Sequence, residues 1–237
     1  MYHSTINFTL DTICPSLRLV RESDASSRVT FTIVYHPYQL YPGASHEGED
    51  KYQWYKKSKY GDSEDKMKMY ITLMTAYGVS AGINCPSPVG IPRLSCLARP
   101  NIDFRLDKFG GTVANTINTH RIIQHFQEIS GPVVTDQLIN SLYRQYFEEE
   151  RHPSSKETLL QACKDAGVDE KEATEIIEDK YKGLQDTKNK IMEQAGNGVD
   201  SVPYVLIEGK RRDFTVQGAN EVEDYVKALQ QVVKESS

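Results

Sequence analysis

The residues best suited to chemistry lie near the N-terminus, where an apolar run ends at the pair Cys14-Pro15. A redox pair of the C-x-x-C kind needs a second thiol three residues after the first. That position holds Leu17, and Ser16 precedes it. Because Pro15 suits the first turn of a helix, Cys14 lies at a predicted helix start, where backbone N–H groups stabilise a thiolate. A lone cysteine is also commonly a small buried apolar residue, so both interpretations stay open.

The three other cysteines are Cys85, Cys96 and Cys163, and none forms a C-x-x-C pair. The sequence therefore predicts no metal site. Cys85 and Cys96 share the proline-rich stretch 84–101, which is typical of a loop. Both are simple loop thiols, or one of the two is a remote resolving cysteine.

Two histidines and a proline are further candidates. His36 precedes Pro37 at the end of a strand-like run and is either a catalytic base or a surface histidine. His120 falls in a helical pattern, where a packing role competes with a pocket-lining one. Pro203 suits the first residue of a strand.

The bulk composition narrows the function classes. The 237 residues carry a formal net charge of −5, so no basic field attracts nucleic acid or acidic lipid. No apolar run reaches the ~20 residues of a membrane span. The first residues also lack the basic-then-apolar pattern of a secretory signal, so we expect free thiols and a cytoplasmic location.

Hydrophobic periodicity gives the order of the elements. A strand at 5–13, a short helix and a strand at 29–35 form the first part. Helical patterns fill 48–197, apart from the loop at 84–101. Two strands, Tyr204–Ile207 and Asp213–Val216, and a helix capped by Asn220 close the chain.

This order predicts an α/β protein, namely a thioredoxin fold with a mixed central sheet and a large inserted all-helical domain. The predicted thioredoxin-fold domain comprises 1–47 and 198–237. The predicted inserted helical domain covers 48–197 and includes the proline-rich loop.

Six motifs, taken in this order, resemble the DsbA-like thioredoxin-domain family and, within it, the FrnE-like branch. That branch is related to 2-hydroxychromene-2-carboxylate isomerases and kappa-class glutathione transferases. The motifs are DTICP at 11–15, YHPYQLYP at 35–42, GGTVANTINTHRIIQHF at 110–126, LYRQYFEEER at 142–151, CKDAGVDEKEA at 163–173 and SVPYVLIEGKRRDFTVQGA at 201–219. The chain departs from the family where members usually read C-P-W-C.

The resemblance implies roles for several residues. It places a cis peptide at Val202-Pro203 beside Cys14, with the main chain of Val202 pairing with an extended substrate or glutathione. Pro15 and His120 would line the same groove. Ser16 is either a substitute hydroxyl, as in the related transferases, or a helix-start serine.

We therefore expect an oxidoreductase-type protein with a single-cysteine site at Cys14, assisted by His36. It would act on a thiol or small-molecule substrate, with glutathione but no tightly bound cofactor. The sequence is also compatible with a homodimer. The alternatives are a glutathione-dependent isomerase or transferase of a small aromatic or polyketide-like molecule, and a non-catalytic binding protein.

Overall fold

A computed structural model describes residues 19–20, 29–80, 110–147, 149–218 and 220–236. The predicted strand at 5–13, the loop at 84–101 and four of the named residues, Cys14, Pro15, Ser16 and Leu17, lie outside these ranges.

Besides Leu19 and Val20, which are helical, the described residues form seven helices and four short strands. The helices are α1 (Lys51–Tyr60), α2 (Glu64–Ser80), α3 (Ile117–Phe147), α4 (Lys156–Asp165), α5 (Glu170–Glu178), α6 (Leu184–Gly196) and α7 (Val222–Glu235). The strands are β1 (Glu49–Asp50), β2 (Thr112–Val113), β3 (Tyr204–Ile207) and β4 (Phe214–Gln217). Within the described ranges, no helix combines the length and apolarity that crossing a membrane requires.

The strands pair as two antiparallel couples. In the first, Glu49 faces Val113; in the second, Tyr204 faces Gln217 and Ile207 faces Phe214. The prediction for β3 is confirmed, while β4 begins one residue later than predicted.

The segment 29–35 differs from its prediction. Burial alternates along it, and Val29, Phe31 and Ile33 pack against the core, as a strand with one buried face requires. The segment nevertheless forms no strand, since the described residues give it no ladder partner, and its predicted neighbour 5–13 is not described. The mixed sheet is therefore visible only through its antiparallel β3–β4 pair.

A core cluster forms where the β3–β4 hairpin meets α7. Its fully buried members come from the first helical residues, β3 and α7: Val20, Val205, Ile207, Tyr225, Leu229, Val232 and Val233. In α7 the apolar residues recur every three to four positions, so one face of the helix buries against the hairpin.

Helix ends follow local sequence closely. Ser155 caps α4 by accepting from Thr158 N–H, and Asp169 caps α5. Asn220 does not cap α7, contrary to the prediction, because its side-chain amide donates to the carbonyls of Gln217 and Gly218. Glu221 occupies the cap position instead, without a side-chain hydrogen bond.

Helix α3 is interrupted at the pair Gly131-Pro132, two residue types that commonly break a helix. Gly131 has φ 78° and ψ −176°, and Pro132 follows it. A positive φ suits glycine, and proline fits a first helical turn, so the helix resumes at once. The second part therefore begins before Thr135, and the Thr135 hydroxyl donates to the Gly131 carbonyl at 2.9 Å.

The described residues group into two compact units. The first contains the described parts of 1–40, 120–135 and 180–237, and the second those of 41–119 and 136–179. The predicted domain boundaries at 47 and 198 stay a prediction. The units divide the chain differently, because 120–135 and 180–197 group with the terminal segments.

Candidate functional site

The candidate site is built around His36, which is half-buried at the end of the 29–35 segment. The side-chain amide nitrogen of Gln194, on α6, lies 3.4 Å from His36 Nδ1. Gln194 is 2% exposed, so this contact lies in the interior of the first unit. A buried partner on one ring nitrogen restricts which way the imidazole can turn.

Two glutamines of α3 hold the main chain just before His36. The Gln124 side chain donates to the carbonyl of Tyr35 at 2.8 Å, and the Gln127 side chain donates to the same carbonyl at 3.0 Å. Gln127 also accepts from the Tyr35 N–H at 2.8 Å. The main-chain N–H and C=O of Tyr35 thus form hydrogen bonds with side-chain amides, as buried main-chain groups require.

Electrostatics around His36 favour the neutral ring. Burial lowers the pKa of His36, and repulsion from Lys190 lowers it further, while Glu193 and Glu208 oppose the change. Lys190 itself is neutralised by Glu128, whose carboxylate lies 2.6 Å away. Burial is the largest of these effects, so the pKa of His36 lies below its ordinary value.

The Val202–Pro203 bond is cis, which confirms the prediction from the family motif. Pro203 is buried, and its carbonyl accepts from Gly218 N–H at 2.9 Å, which extends the β3–β4 pairing by one step. The carbonyl of Asp200, just upstream of Pro203, accepts a hydrogen bond from the Tyr38 hydroxyl at 2.8 Å. This bond ties the segment after His36 to the residues that lead into Pro203.

His120 is 4% exposed, and its ring donates a hydrogen bond to the main chain of Tyr38. Burial lowers the pKa of His120 to about 4. Its predicted binding role stays a prediction, and the structure shows a packed side chain. Arg121 beside it is 1% exposed and donates to the Lys182 carbonyl at 3.1 Å, which indicates a structural role.

Among the described residues, Cys163 is the thiol that the structure places. It is fully buried, and desolvation raises its pKa to about 12. A protonated buried thiol is a poor nucleophile. The proposed reactive residues Cys14, Pro15 and Ser16 stay predictions, because they lie outside the described ranges.

The second unit holds a separate titratable group, Lys51. It is 7% exposed, and its ammonium lies 3.9 Å from the centre of the Tyr146 ring and 5.9 Å from that of Phe147. Burial lowers the pKa of Lys51 to about 8, against the opposing charges of Glu150 and Asp50. No group of three or more His, Cys, Asp or Glu side chains able to hold a metal ion occurs in the described parts of the chain.

Sequence reasoning missed the three glutamines at positions 124, 127 and 194. Glutamine is an ordinary helix residue, so none of them carries a local signal. The spacing of Gln124 and Gln127 places both on one helix face, but their partner Tyr35 is about 90 positions away. Such a pairing emerges only once the chain is folded.

Comparisons with known proteins agree with this architecture. A search of curated proteins finds no significant match. A crystal structure of a probable DsbA oxidoreductase from Streptomyces coelicolor is similar, with a TM-score of 0.72 and 19% identity, over 99% of this chain and 88% of that one. A candidate protein disulfide isomerase from Nitrosomonas europaea is similar with a TM-score of 0.62 and 12% identity, over 100% of this chain and 96% of that one.

These likenesses show the fold, a thioredoxin fold with a helical insertion, as the sequence predicts. The model of one protein family, the DSBA-like thioredoxin domain, matches residues 92–230. The match covers more than half of the chain and begins well after Cys14, so it rests on the helical region and the β3–β4 hairpin rather than on a thiol motif. The chain belongs to the DSBA-like thioredoxin domain family.

Proposed function

We propose that the chain is a thiol–disulfide oxidoreductase-type protein of the FrnE-like branch, with Cys14 as its sole active-site thiol and glutathione as the small thiol that completes turnover. Family membership supports thiol–disulfide chemistry. The presence of Leu17 where a C-x-x-C pair would have its second sulfur supports a single-cysteine site. A cytoplasmic setting is part of the proposal, since glutathione must be present and reduced.

The observation that carries the substrate side of the proposal is the main chain of Val202. Pro203 is anchored through its carbonyl to Gly218. The N–H and C=O of Val202, by contrast, make no hydrogen bond with any described residue. Unpaired main-chain groups at a strand end are suited to an extended peptide or glutathione that adds as a further strand.

The chemistry of one thiol sets the stoichiometry. The Cys14 thiolate attacks one sulfur of a substrate disulfide, forms a mixed disulfide and releases the other sulfur as a thiolate. A glutathione thiolate then attacks the substrate sulfur, which releases Cys14 and leaves a glutathione–substrate disulfide. A second glutathione releases the substrate thiol, so two glutathiones become one glutathione disulfide.

The test combines thiol labelling with a turnover assay. Iodoacetamide labelling is followed residue by residue against pH by mass spectrometry, and insulin reduction is measured with and without glutathione. Wild type is compared with Cys14→Ser and with the matched control Cys163→Ala. We expect Cys14 to label fastest of the four thiols, and insulin reduction to need both Cys14 and glutathione.

Two outcomes contradict the proposal. If Cys14 labels no faster than Cys163, then Cys14 is not an activated thiol and the site has lost its catalytic function. Rapid insulin reduction with dithiothreitol alone, abolished by Cys14→Ser but by no other cysteine variant, would show that one thiol suffices. Glutathione binding without any disulfide turnover would point instead to the glutathione-dependent isomerase or transferase.

A further inference from the structure

The contact between His36 and Gln194 determines more than the position of the ring. Gln194 is 2% exposed, and within the described residues its side chain makes one polar contact, with His36 Nδ1 at 3.4 Å. Its amide oxygen is buried without a hydrogen-bond partner there. Burying an amide with so little compensation costs free energy that an apolar side chain of similar size would avoid. The amide at position 194 is therefore accounted for by its contact with His36.

The chemistry of the two groups fixes the direction of this hydrogen bond. The amide nitrogen of a glutamine donates and never accepts. An imidazole nitrogen that receives such a hydrogen bond must present its lone pair, so Nδ1 carries no proton. In a neutral imidazole the single proton then resides on Nε2.

Neutrality of the ring follows from its surroundings. His36 is half-buried, and among the described residues the charged groups that act on it are Lys190, Glu193 and Glu208. Burial and Lys190 disfavour a second proton, and the two glutamates favour it more weakly, so the pKa of His36 is lowered.

We propose that Gln194 is a positioning residue that holds His36 as a single tautomer, with Nδ1 as acceptor and the proton on Nε2, so that His36 acts as a hydrogen-bond donor. The sequence left His36 as either a catalytic base or a surface histidine; in this arrangement the nitrogen that would act as a base accepts a hydrogen bond from Gln194. A donor N–H favours the thiolate form of a neighbouring sulfur. That consequence rests on the proposed function at Cys14, whereas the tautomer does not.

The experiment is heteronuclear NMR of the imidazole nitrogens at pH 7.5, a pH chosen so that the neutral ring dominates. Protonated and lone-pair nitrogens of imidazole have well-separated nitrogen-15 shifts, and His36→Asn assigns the signals. Wild type is compared with Gln194→Leu, with Gln194→Glu and with the control Gln185→Leu, which alters an exposed glutamine on the same helix. Circular dichroism verifies that each variant is folded.

In wild type and in Gln185→Leu we expect His36 to show a lone pair on Nδ1 and a proton on Nε2. Gln194→Leu should move both shifts toward the average of a tautomer mixture. Gln194→Glu should place a proton on Nδ1, because a carboxylate only accepts. A proton on Nδ1 in wild type, a mixture in wild type, or unchanged shifts in a folded Gln194→Leu would overturn the proposal. Failure of thiol turnover with these NMR results intact would refute the proposed function alone.

Discussion

The burial of His120 makes stability depend on pH in a calculable way. An unfolded histidine has a pKa of about 6.5, whereas burial lowers that of His120 to about 4 in the folded protein. As the pH falls below 6.5, the unfolded chain gains a proton at this position that the folded chain does not accept until about pH 4. The proton stabilises the unfolded state, so the free energy of unfolding decreases as the pH falls through this window.

The size of the effect follows from the two pKa values. Their difference corresponds to about 3.4 kcal/mol once the pH is well below 4. Between pH 7 and pH 5 the loss is about 2 kcal/mol, with a slope near pH 5 of about 1.2 kcal/mol per pH unit. Against a typical stability of about 5–15 kcal/mol, this is readily measured.

The perturbation is His120→Asn, which keeps a side-chain donor near the main chain of Tyr38 but removes the titrating ring. The assay is urea unfolding at pH 7, 6 and 5, with the free energy of unfolding extrapolated to water. The variant loses ring packing and is expected to be less stable at every pH. Its free energy of unfolding should change by about 2 kcal/mol less than that of wild type between pH 7 and pH 5.

The control is His46→Asn, which removes an exposed histidine and should leave the wild-type pH dependence unchanged. Carboxyl groups also titrate below pH 5, but they are common to all three proteins and cancel in the comparison. Equal pH dependence in wild type and in a folded His120→Asn would refute the reasoning, because it would mean that His120 accepts a proton as readily inside the protein as outside.

Three further predictions concern other parts of the structure. Lys51→Met should raise the free energy of unfolding at pH 7 by about 2 kcal/mol, because it removes the cost of burying a charge and loses about 1 kcal/mol of cation–π attraction. In urea unfolding this gain should begin to fade near pH 8, where the folded amine loses its proton, and vanish near pH 10.5, where the unfolded amine loses its own. Gly111→Ala should lower the free energy of unfolding by about 2–4 kcal/mol, since Gly111 has φ 89° and an added Cβ would lie 3.0 Å from the carbonyl oxygen of Glu150. In thermal melts the control Gly43→Ala should be neutral, because a Cβ at that position meets nothing within 4 Å. Cys163 should resist iodoacetamide at pH 8 in the folded protein and react in urea, as judged by mass spectrometry; rapid labelling of the folded protein would contradict its burial.

The parts of the fold that sequence predicts well depend on near neighbours. Ser155 and Asp169 cap helices because their side chains reach N–H groups two or three residues ahead. The break at Gly131-Pro132 also depends only on adjacent residues. Asn220 fits the same local rule, yet its side-chain amide donates to the carbonyls of Gln217 and Gly218, and Glu221 occupies the cap position.

The candidate site is harder to predict because its contacts are distant in sequence. Gln194 and His36 are separated by 158 positions, and Gln127 and Tyr35 by 92. Side-chain amides can pair with almost any polar group, so their partners follow from the packing of α3 and α6 and not from residue type. His36 was predicted as a candidate from its strand-end position. Its partner Gln194, by contrast, is an ordinary helix residue that no local sequence pattern singles out.

The described residues also narrow the source of the second sulfur in any disulfide chemistry. Cys163 is fully buried with a raised pKa, so it would have to leave a packed environment and ionise against desolvation before it could attack a mixed disulfide. Leu17 removes the adjacent partner. A resolving thiol must then come from Cys85 or Cys96, or from a separate molecule such as glutathione. A Cys85→Ser, Cys96→Ser double variant decides between these sources, because turnover that persists with glutathione requires no second sulfur from this chain.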